Sequence, residues 1–360
     1  MSEMRMEPVT GPSVWTGAEL ENDSSWQVTL GEAERAALLA GMKTVQSKGL
    51  WLHQMRAEDF PLDDALKGLV ARIRSDVRDG RGFVVLHGFP LEELSIDEIR
   101  LAYWGLSLQL GTCVSQDSRA ALVADVWDRG QKPSPLVRAY GSRYKAGLHV
   151  DLADVVGLLC VRQADSDPWT TLGSSGAVYN AFLKEHAELL PMLYEGFPWD
   201  RRGESRPDEN PITEMSIPIF SYADGQLSCR YNRAWILGAF ARQKRELTNA
   251  ETVLFDFFDE AAERTQIAFP LRPGDLYFAS NYTVLHGRAG YDAEAPDLSQ
   301  KRHLLRVWLN MPGMRRFADP ASTRYGLLQH GNLGWTGAEL LARKHLEPMA
   351  RRDFLDEAFA

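Results

Sequence analysis

Gly147-Leu148-His149-Val150-Asp151-Leu152 is the stretch on which the reading of this chain turns. It sets an imidazole and a carboxylate two residues apart. In an extended strand, residues i and i+2 project from the same face, so His149 and Asp151 can close on one metal ion. A His-x-carboxylate pair completed by one distant histidine is the facial set that holds iron(II) with coordination positions open. The spacing alone carries little, because eight histidines among many acids produce such pairs by chance. Strand context, a third ligand and a use for the open positions have to come from elsewhere in the chain.

Two further pairs share the spacing, His186-Ala187-Glu188 and His345-Leu346-Glu347. Both fall in predicted helices, where i and i+2 stand about 200° apart around the axis and cannot face one ion. They read as surface or capping residues. The third ligand should be a histidine on another strand, and His286 in Asn281-Tyr282-Thr283-Val284-Leu285-His286-Gly287-Arg288 is the candidate. It ends a predicted strand, and the glycine after it keeps the backbone uncrowded. His53, His87, His303 and His330 have no comparable partner and read as structural.

Working outward, residues 1–28 are polar and irregular and read as a surface arm. Thr29-Leu30-Gly31-Glu32 reads as a capping box that opens a helix to about Gln46. A second helix spans about Leu62 to Val77, closed by Gly80. Gly82–Leu86 is a strand, and Ser95-Ile96-Asp97-Glu98 caps a helix to about Gln109. From Leu122 the texture changes to short strands: Leu122–Trp127, the His149–Asp151 stretch, and Val155–Arg162, whose continuous apolar run marks a buried strand. Ser174-Ser175 opens a helix to about Leu190. Ser216–Tyr222 and Gln226–Tyr231 form a hairpin around Ala223-Asp224-Gly225. Thr248 caps a helix to about Thr265. Ile267–Leu271, Leu276–Ala279, Val284–Gly287 and Leu304–Asn310 complete the strands, with a Pro273-Gly274-Asp275 turn between the first two. Residues 313–360 look helical, in pieces Trp335–Leu341 and His345–Phe354. Many short strands with a helical insertion predict a mainly β chain with flanking helices, its core a closed or sandwiched antiparallel jelly roll. No Pro/Gly/Ser-rich linker divides the 360 residues, which predicts one domain: an arm and helices to residue 80, the core over about 80–312, and helices over 313–360.

Composition narrows the function. Hydrophobic content of 44% and charged content of 25% suit a soluble globular chain. A net charge of −9 argues against a general nucleic-acid binder, which needs a basic surface. No basic-then-apolar leader is seen, and the longest apolar run near Val155–Val161 is too short to span a bilayer. Cys113, Cys160 and Cys229 are odd in number and scattered, so a disulfide framework is not expected and a reducing cytoplasm is.

Arg302 and Arg306 follow His286 in Lys301-Arg302-His303-Leu304-Leu305-Arg306-Val307-Trp308. Their spacing of four places both guanidiniums on one strand face with Leu304 and Trp308, directed into the core. A buried arginine needs an anion. That anion is either a carboxylate-bearing ligand gripped bidentately or an acid of the chain itself.

With these residues in place, the chain resembles the taurine dioxygenase-like, or clavaminate synthase-like, iron(II)/2-oxoglutarate-dependent oxygenases. The resemblance rests on His149-Val150-Asp151, Thr170-Thr171-Leu172-Gly173-Ser174-Ser175, Pro273-Gly274-Asp275-Leu276, His286-Gly287-Arg288, and Arg302 with Arg306, in family order over roughly residues 80–312. It implies a double-stranded β-helix with iron at one mouth, and iron(II), 2-oxoglutarate and O2 as cofactor and cosubstrates. His149, Asp151 and His286 match the metal ligands. Arg302 matches the residue for the distal carboxylate of 2-oxoglutarate, and Thr170 the hydroxyl that assists it, with Thr171 its rival. Arg306 matches a position that touches an acidic group of the substrate, and the roles of the two arginines can be exchanged. Asn281 matches a polar position near the iron. One departure is local: the family's usual Gly-Gly pair before the threonine is replaced by Asp167-Pro168-Trp169. Asp151, where a halogenase leaves a gap for chloride, argues against that branch.

The expected reaction is oxidation of a C–H bond in a small anionic or amino-acid-like molecule, hydroxylation first. Desaturation, cyclisation or epimerisation would use the same ligands. Arg306 with Tyr140, Arg143, Tyr144 and Arg230 could line an outer substrate pocket, while Tyr222 and Tyr231 pack the hairpin. Two other classes stay open at this level: a cupin-like zinc or manganese hydrolase or isomerase, since zinc also accepts His/His/Asp, and a non-catalytic barrel-fold binding protein. Neither needs a dicarboxylate anchor. No nucleic-acid or membrane partner is expected, and a homo-oligomer is compatible with the chain.

Overall fold

The computed structural model describes residues 4–92, 94–130, 132, 141–205, 208–292, 297, 300–317, 328 and 331–342. Its N-terminal part holds α1 (Gly17–Leu20), β1 (Gln27–Thr29), α2 (Glu32–Ser47), α3 (Asp64–Arg78), β2 (Phe83–His87) and α4 (Ile96–Leu110). Then come β3 (Thr112–Val114), β4 (Val123–Val126), β5 (Ala146–His149), β6 (Val155–Arg162) and β7 (Trp169–Ser174). The insertion follows as α5 (Ser175–Glu185), α6 (Leu190–Glu195), β8 (Phe220–Ala223), β9 (Gln226–Cys229), α7 (Arg233–Gln243) and α8 (Asn249–Thr265). The chain closes with β10 (Ile267–Pro270), β11 (Leu276–Ser280), β12 (Val284–Arg288), β13 (His303–Asn310) and α9 (Gly337–Ala342).

Two main sheets form. The larger has strand order β1-β2-β11-β6-β13-β3, with β4 also paired to β13; the smaller runs β10-β7-β12-β5. Pairings within them are antiparallel except β1 with β2. The period-2 alternation of the strands explains the layering. On β6 and β13, Val155, Leu159, Leu305, Val307 and Leu309 pack outward on an apolar cluster with Leu38 of α2, Ile73 of α3 and Trp104 of α4. The intervening Val156, Cys160, Leu304 and Trp308 share a second cluster with Leu172 and Leu285 of the small sheet. Both faces of the large sheet are thus buried, as the apolar run Val155–Arg162 requires. On the small sheet's side, Phe182 of α5 and Leu254, Phe258 and Ala262 of α8 complete that second cluster.

Several expectations shift. The chain is mixed rather than mainly β, with 35% helix against 22% strand. Helix α7 was not anticipated: Arg-Ala-Trp-Ile-Leu-Gly-Ala-Phe is buried at Trp235, Ile236, Gly238, Ala239 and Phe240, so it carries no clear polar stripe. Strand β7 was read only as a threonine motif. The arm 1–28 is anchored rather than superficial: Val9, Trp15, Leu20 and Trp26 are buried, and Trp15 Nε1 donates to the Arg81 carbonyl. Thr29 belongs to β1, paired with His87, so α2 starts at Glu32 with Gly31 as its N-cap, whose N–H donates to Glu34 Oε2 at 3.0 Å. The hairpin forms as read, shorter in both strands, with Asp224 (φ 49°) and Gly225 (φ 77°) between Ala223 and Gln226. Two successive positive φ values are what a two-residue I′ turn demands. His345–Phe354, His330 and Tyr140 lie outside the described residues.

Candidate metal centre and cosubstrate cavity

Strand pairing assembles the centre. β12 runs antiparallel to β5 with His286 directly opposite His149, and the two rings sit 4.5 Å apart. Gly287 is required there. A Cβ on it would lie 2.8 Å from the Ala146 carbonyl oxygen and 2.8 Å from Thr171 Oγ1, in the register shift between His286 and Arg288. Asp151 lies two residues past His149, just beyond the end of β5 rather than within a strand. Its loop is instead held by Asn281, whose Oδ1 accepts from Asp151 N at 2.9 Å and whose Nδ2 donates to the Ala153 carbonyl at 3.0 Å. The ligand atoms of His149, Asp151 and His286 lie within 4.8 Å of one another; they are the metal-competent His/Cys/Asp/Glu group among the described residues.

The donor chemistry fits a divalent ion. His149 Nδ1 meets the Gly147 carbonyl at 2.7 Å, which makes Nδ1 the protonated nitrogen and leaves the Nε2 lone pair for a metal. Burial, and then the neighbouring His149, push the His286 imidazole down to about 3, so it too is neutral at pH 7. Its Nδ1 has no hydrogen-bond partner, and its Nε2 stands 3.7 Å from Asp151 Oδ2, too far for a hydrogen bond. Two neutral imidazoles and one carboxylate, converging without bonding one another, are the 2-His-1-carboxylate set that iron(II) takes with positions open. Asp151 is oriented from behind. Trp308 Nε1 donates to its Oδ2 at 2.7 Å and Arg306 Nη1 at 3.2 Å. Gln116 in turn accepts from Arg306 Nε at 2.8 Å.

The three residues open into a cavity of about 550 Å³ whose walls include Thr170, Tyr277, Arg302 and Arg306. Arg302 is buried, its Nε donating to Gln163 Oε1 at 2.9 Å. Thr170 is buried on the wall, whereas its neighbour Thr171 is half-buried and not on it. Alternation along β7 therefore separates the two threonines, and Trp169 is half exposed on the side away from the cavity.

Other expected site residues fall elsewhere. Asn281, expected beside the cofactor, is absent from the cavity wall and serves the loop that carries Asp151. Arg306 lies on the wall, but the anion it meets is the chain's own Asp151. Arg230, expected in an outer pocket, is buried behind the same loop: it donates to the Asp151 carbonyl at 2.8 Å and to Tyr282 Oη at 2.8 Å, and Tyr282 Oη donates to Asp154. Arg143 and Tyr144 do not line the cavity, and Tyr144 is 41% exposed. Tyr231 stacks on Phe258 at 3.6 Å, and Tyr222 Oη accepts from Arg5 at 2.6 Å. His186 and Glu188 were expected in one continuous helix with their side chains turned apart. Instead α5 ends at Glu185, His186 leaves the helical conformation (φ −146°), and its ring meets Glu188 at 3.1 Å, yet no third ligand joins them among the described residues. His87 pairs with Asp275 at 2.7 Å and His303 with Asp125 at 2.6 Å, both structural as read. The roles of Gln116, Gln163 and Trp308 were missed; Trp308 shows in the sequence only as an aromatic two residues after Arg306, and Gln116 and Gln163 lie 190 and 139 residues from the arginines they meet, with no local signal.

Comparison with known proteins gives the family and the fold. Residues 47–308 match the family described as taurine catabolism dioxygenase TauD, TfdA family, which takes in the helical flank as well as the strands. FR-33289 synthase of Streptomyces rubellomurinus (strain ATCC 31215) is 34% identical over 334 residues, 91% of this chain and 98% of that protein. Asparagine oxygenase in complex with Fe(II), 2S,3S-3-hydroxyasparagine and succinate superposes with a TM-score of 0.64 at 16% identity, over 79% of this chain and 93% of that one. The non-heme iron oxygenase OrfP in complex with Fe and alpha-ketoglutaric acid gives 0.58 at 16% identity, over 83% and 99%. The last two show a shared fold. The chain belongs to the TauD/TfdA family and is an iron(II)/2-oxoglutarate-dependent oxygenase.

Proposed function

We propose that this oxygenase hydroxylates a C–H bond of a small molecule that is anionic or amino-acid-like, with His149, Asp151 and His286 as its iron ligands. The observation that carries the ligand assignment is the β5–β12 register, which sets His286 against His149 with Asp151 two residues on. Iron(II) with 2-oxoglutarate supplies the oxidising power: O2 is split between succinate, released with CO2, and the hydroxylated product. The chain's own part is placement. Arg302, held by Gln163, meets the distal carboxylate of 2-oxoglutarate as a bidentate cation, and the Thr170 hydroxyl donates beside it. Trp308 and Arg306 hold the Asp151 carboxylate in one orientation. Apolar walls at Leu148, Leu158 and Leu304 keep water from the reacting carbon.

The substrate class rests on charge. Lys132, Lys145, Arg202, Arg233, Arg288, Arg302 and Arg306 all reach the cavity wall, against Asp151 and Asp259, which Arg306 and Arg233 already pair. OrfP is seen with L-Arg and asparagine oxygenase with a hydroxylated asparagine, both amino acids. The two facing sheets are read as the halves of a double-stranded β-helix in a single oxygenase domain. No described helix is long and apolar enough to cross a membrane, and the three cysteines are free and buried, which supports a cytoplasmic enzyme. The test is succinate formation from 2-oxoglutarate by Asp151→Ala and His286→Ala. Both should lose it while keeping the fold by circular dichroism; full turnover in either, with iron bound normally, sinks the ligand assignment.

A further inference from the structure

Ser142 and Lys145, just ahead of β5, form part of the cavity wall, and the main chain around Ser142 is fastened by a side chain with no part in holding iron. Arg288 ends β12, two residues after His286. Its Nη1 donates to the carbonyls of Arg143 (3.3 Å) and Ala289 (2.7 Å), and its Nη2 to those of Ser142 (2.9 Å) and Tyr144 (2.8 Å). Three consecutive carbonyls of one segment thus meet one guanidinium. The neighbouring main chain adds to the hold: Tyr291 N donates to the Arg143 carbonyl at 3.0 Å, and Arg129 N to the Gly141 carbonyl at 2.9 Å. Ser142 is 3% exposed and lines the cavity, as do Lys145 and Tyr291. The Tyr291 ring lies 4.7 Å from the Arg288 guanidinium and 5.7 Å from that of Arg302. Both distances are within cation–π range.

A planar fork of five donors can serve several carbonyls at once, which an ammonium on a flexible stem cannot do in the same geometry. The segment has no strand or helix of its own over Ser142–Tyr144, so its main chain depends on bonds brought from outside.

We propose that Arg288 is a positioning residue that straps Ser142–Tyr144 down as a wall of the catalytic cavity, with Tyr291 linking that wall to Arg302. The strap itself is independent of the reaction; its catalytic consequence rests on the oxygenase reading above. Seating a carboxylate on Arg302 then steadies the ring of Tyr291 and, through it, this wall of the cavity.

The test uses the full chain in two arms. In the first, amide hydrogen exchange is followed on the metal-free protein carrying Arg288→Met, which keeps side-chain length and removes every donor. Exchange at the Arg129 and Tyr291 amides should accelerate on the order of tenfold or more, with β6 and β13 unchanged and Arg288→Lys between the two. Unaltered exchange at both amides overturns the strap. In the second, succinate formation is measured with iron(II) and 2-oxoglutarate alone. A loosened wall admits water, so Arg288→Met should raise this substrate-independent turnover at least twofold and raise KM for 2-oxoglutarate. Identical rate and KM overturn the catalytic role. A wild-type protein that forms no succinate refutes the oxygenase reading instead, and leaves the exchange result standing. Should Arg288→Met fail to fold, Arg288→Lys carries both comparisons.

Discussion

Trp308→Phe isolates one hydrogen bond at the metal centre. The indole Nε1 donates to Asp151 Oδ2 at 2.7 Å from a fully buried position, and phenylalanine keeps a ring in the core while removing the donor. A bond to a charged acceptor contributes about 1.5–3 kcal/mol. Removing such a bond behind a metal ligand lowers metal affinity about 10–100-fold, which is about 1.4–2.7 kcal/mol and of the same size. Arg306 Nη1 remains on that oxygen at the longer distance of 3.2 Å, so the carboxylate keeps one anchor. The expected loss therefore sits toward the lower end, about tenfold. Anaerobic titration with iron(II) in the presence of 2-oxoglutarate measures it. A thermal melt of the metal-free variant measures the packing change separately. Weaker iron binding with a melting point within a few degrees of wild type supports the orientation role. Wild-type iron affinity in a folded Trp308→Phe protein refutes it, since Arg306 and the backbone would then suffice to place the carboxylate.

Arg302→Gln should raise KM for 2-oxoglutarate about 10–100-fold by removing a charge-assisted grip, and Thr170→Val should raise it less, while Thr171→Val leaves it near wild type because that side chain lies off the cavity wall. Steady-state kinetics in 2-oxoglutarate distinguish the three, and a larger effect at Thr171 would reverse the assignment. Away from the centre, Asp125 is buried with Arg100 at 2.6 Å and His303 at 2.6 Å. Burial pushes its carboxyl up, but Arg100 and His303 outweigh burial and hold it at about 2. The folded value lies below the unfolded one, so this stability is fully present above pH 4 and is lost as pH falls from about 4 through 2. Asp125→Asn, which strands the buried Arg100, should cost about 3–5 kcal/mol at pH 7. Its deficit against wild type in urea unfolding should narrow below pH 4, and a deficit constant with pH would contradict the linkage.

Much of the site was legible because His149, His286, Thr170 and Arg306 lie on period-2 strands, although Asp151 stands just past the end of β5. Helical geometry does not exclude His186/Glu188, because α5 ends at Glu185 and the two side chains meet; what sets the pair aside is that no third ligand joins it among the described residues. Thr170 and Thr171 could not be told apart by type; they separate only because β7 pairs with β12 on one side and β10 on the other, turning one hydroxyl inward. Helix α7 escaped notice for the opposite reason. Its less buried positions Ala234, Leu237 and Ala241 are themselves apolar, which erases the amphipathic period by which a helix is recognised.

The amino-acid order by itself determined the candidate ligand types, the strand context of the two histidines, the arginine pair and the family, because these depend on identities and short spacings. Only the tertiary structure decided how the charges are shared. Arg306 turns to Asp151, Arg230 and Asn281 brace the loop behind it, and Arg288 holds a wall rather than a ligand. A guanidinium or amide has several equivalent partners available in sequence. Which one it takes is set by pairings between strands and loops 79 to 155 residues apart, and no local pattern encodes them.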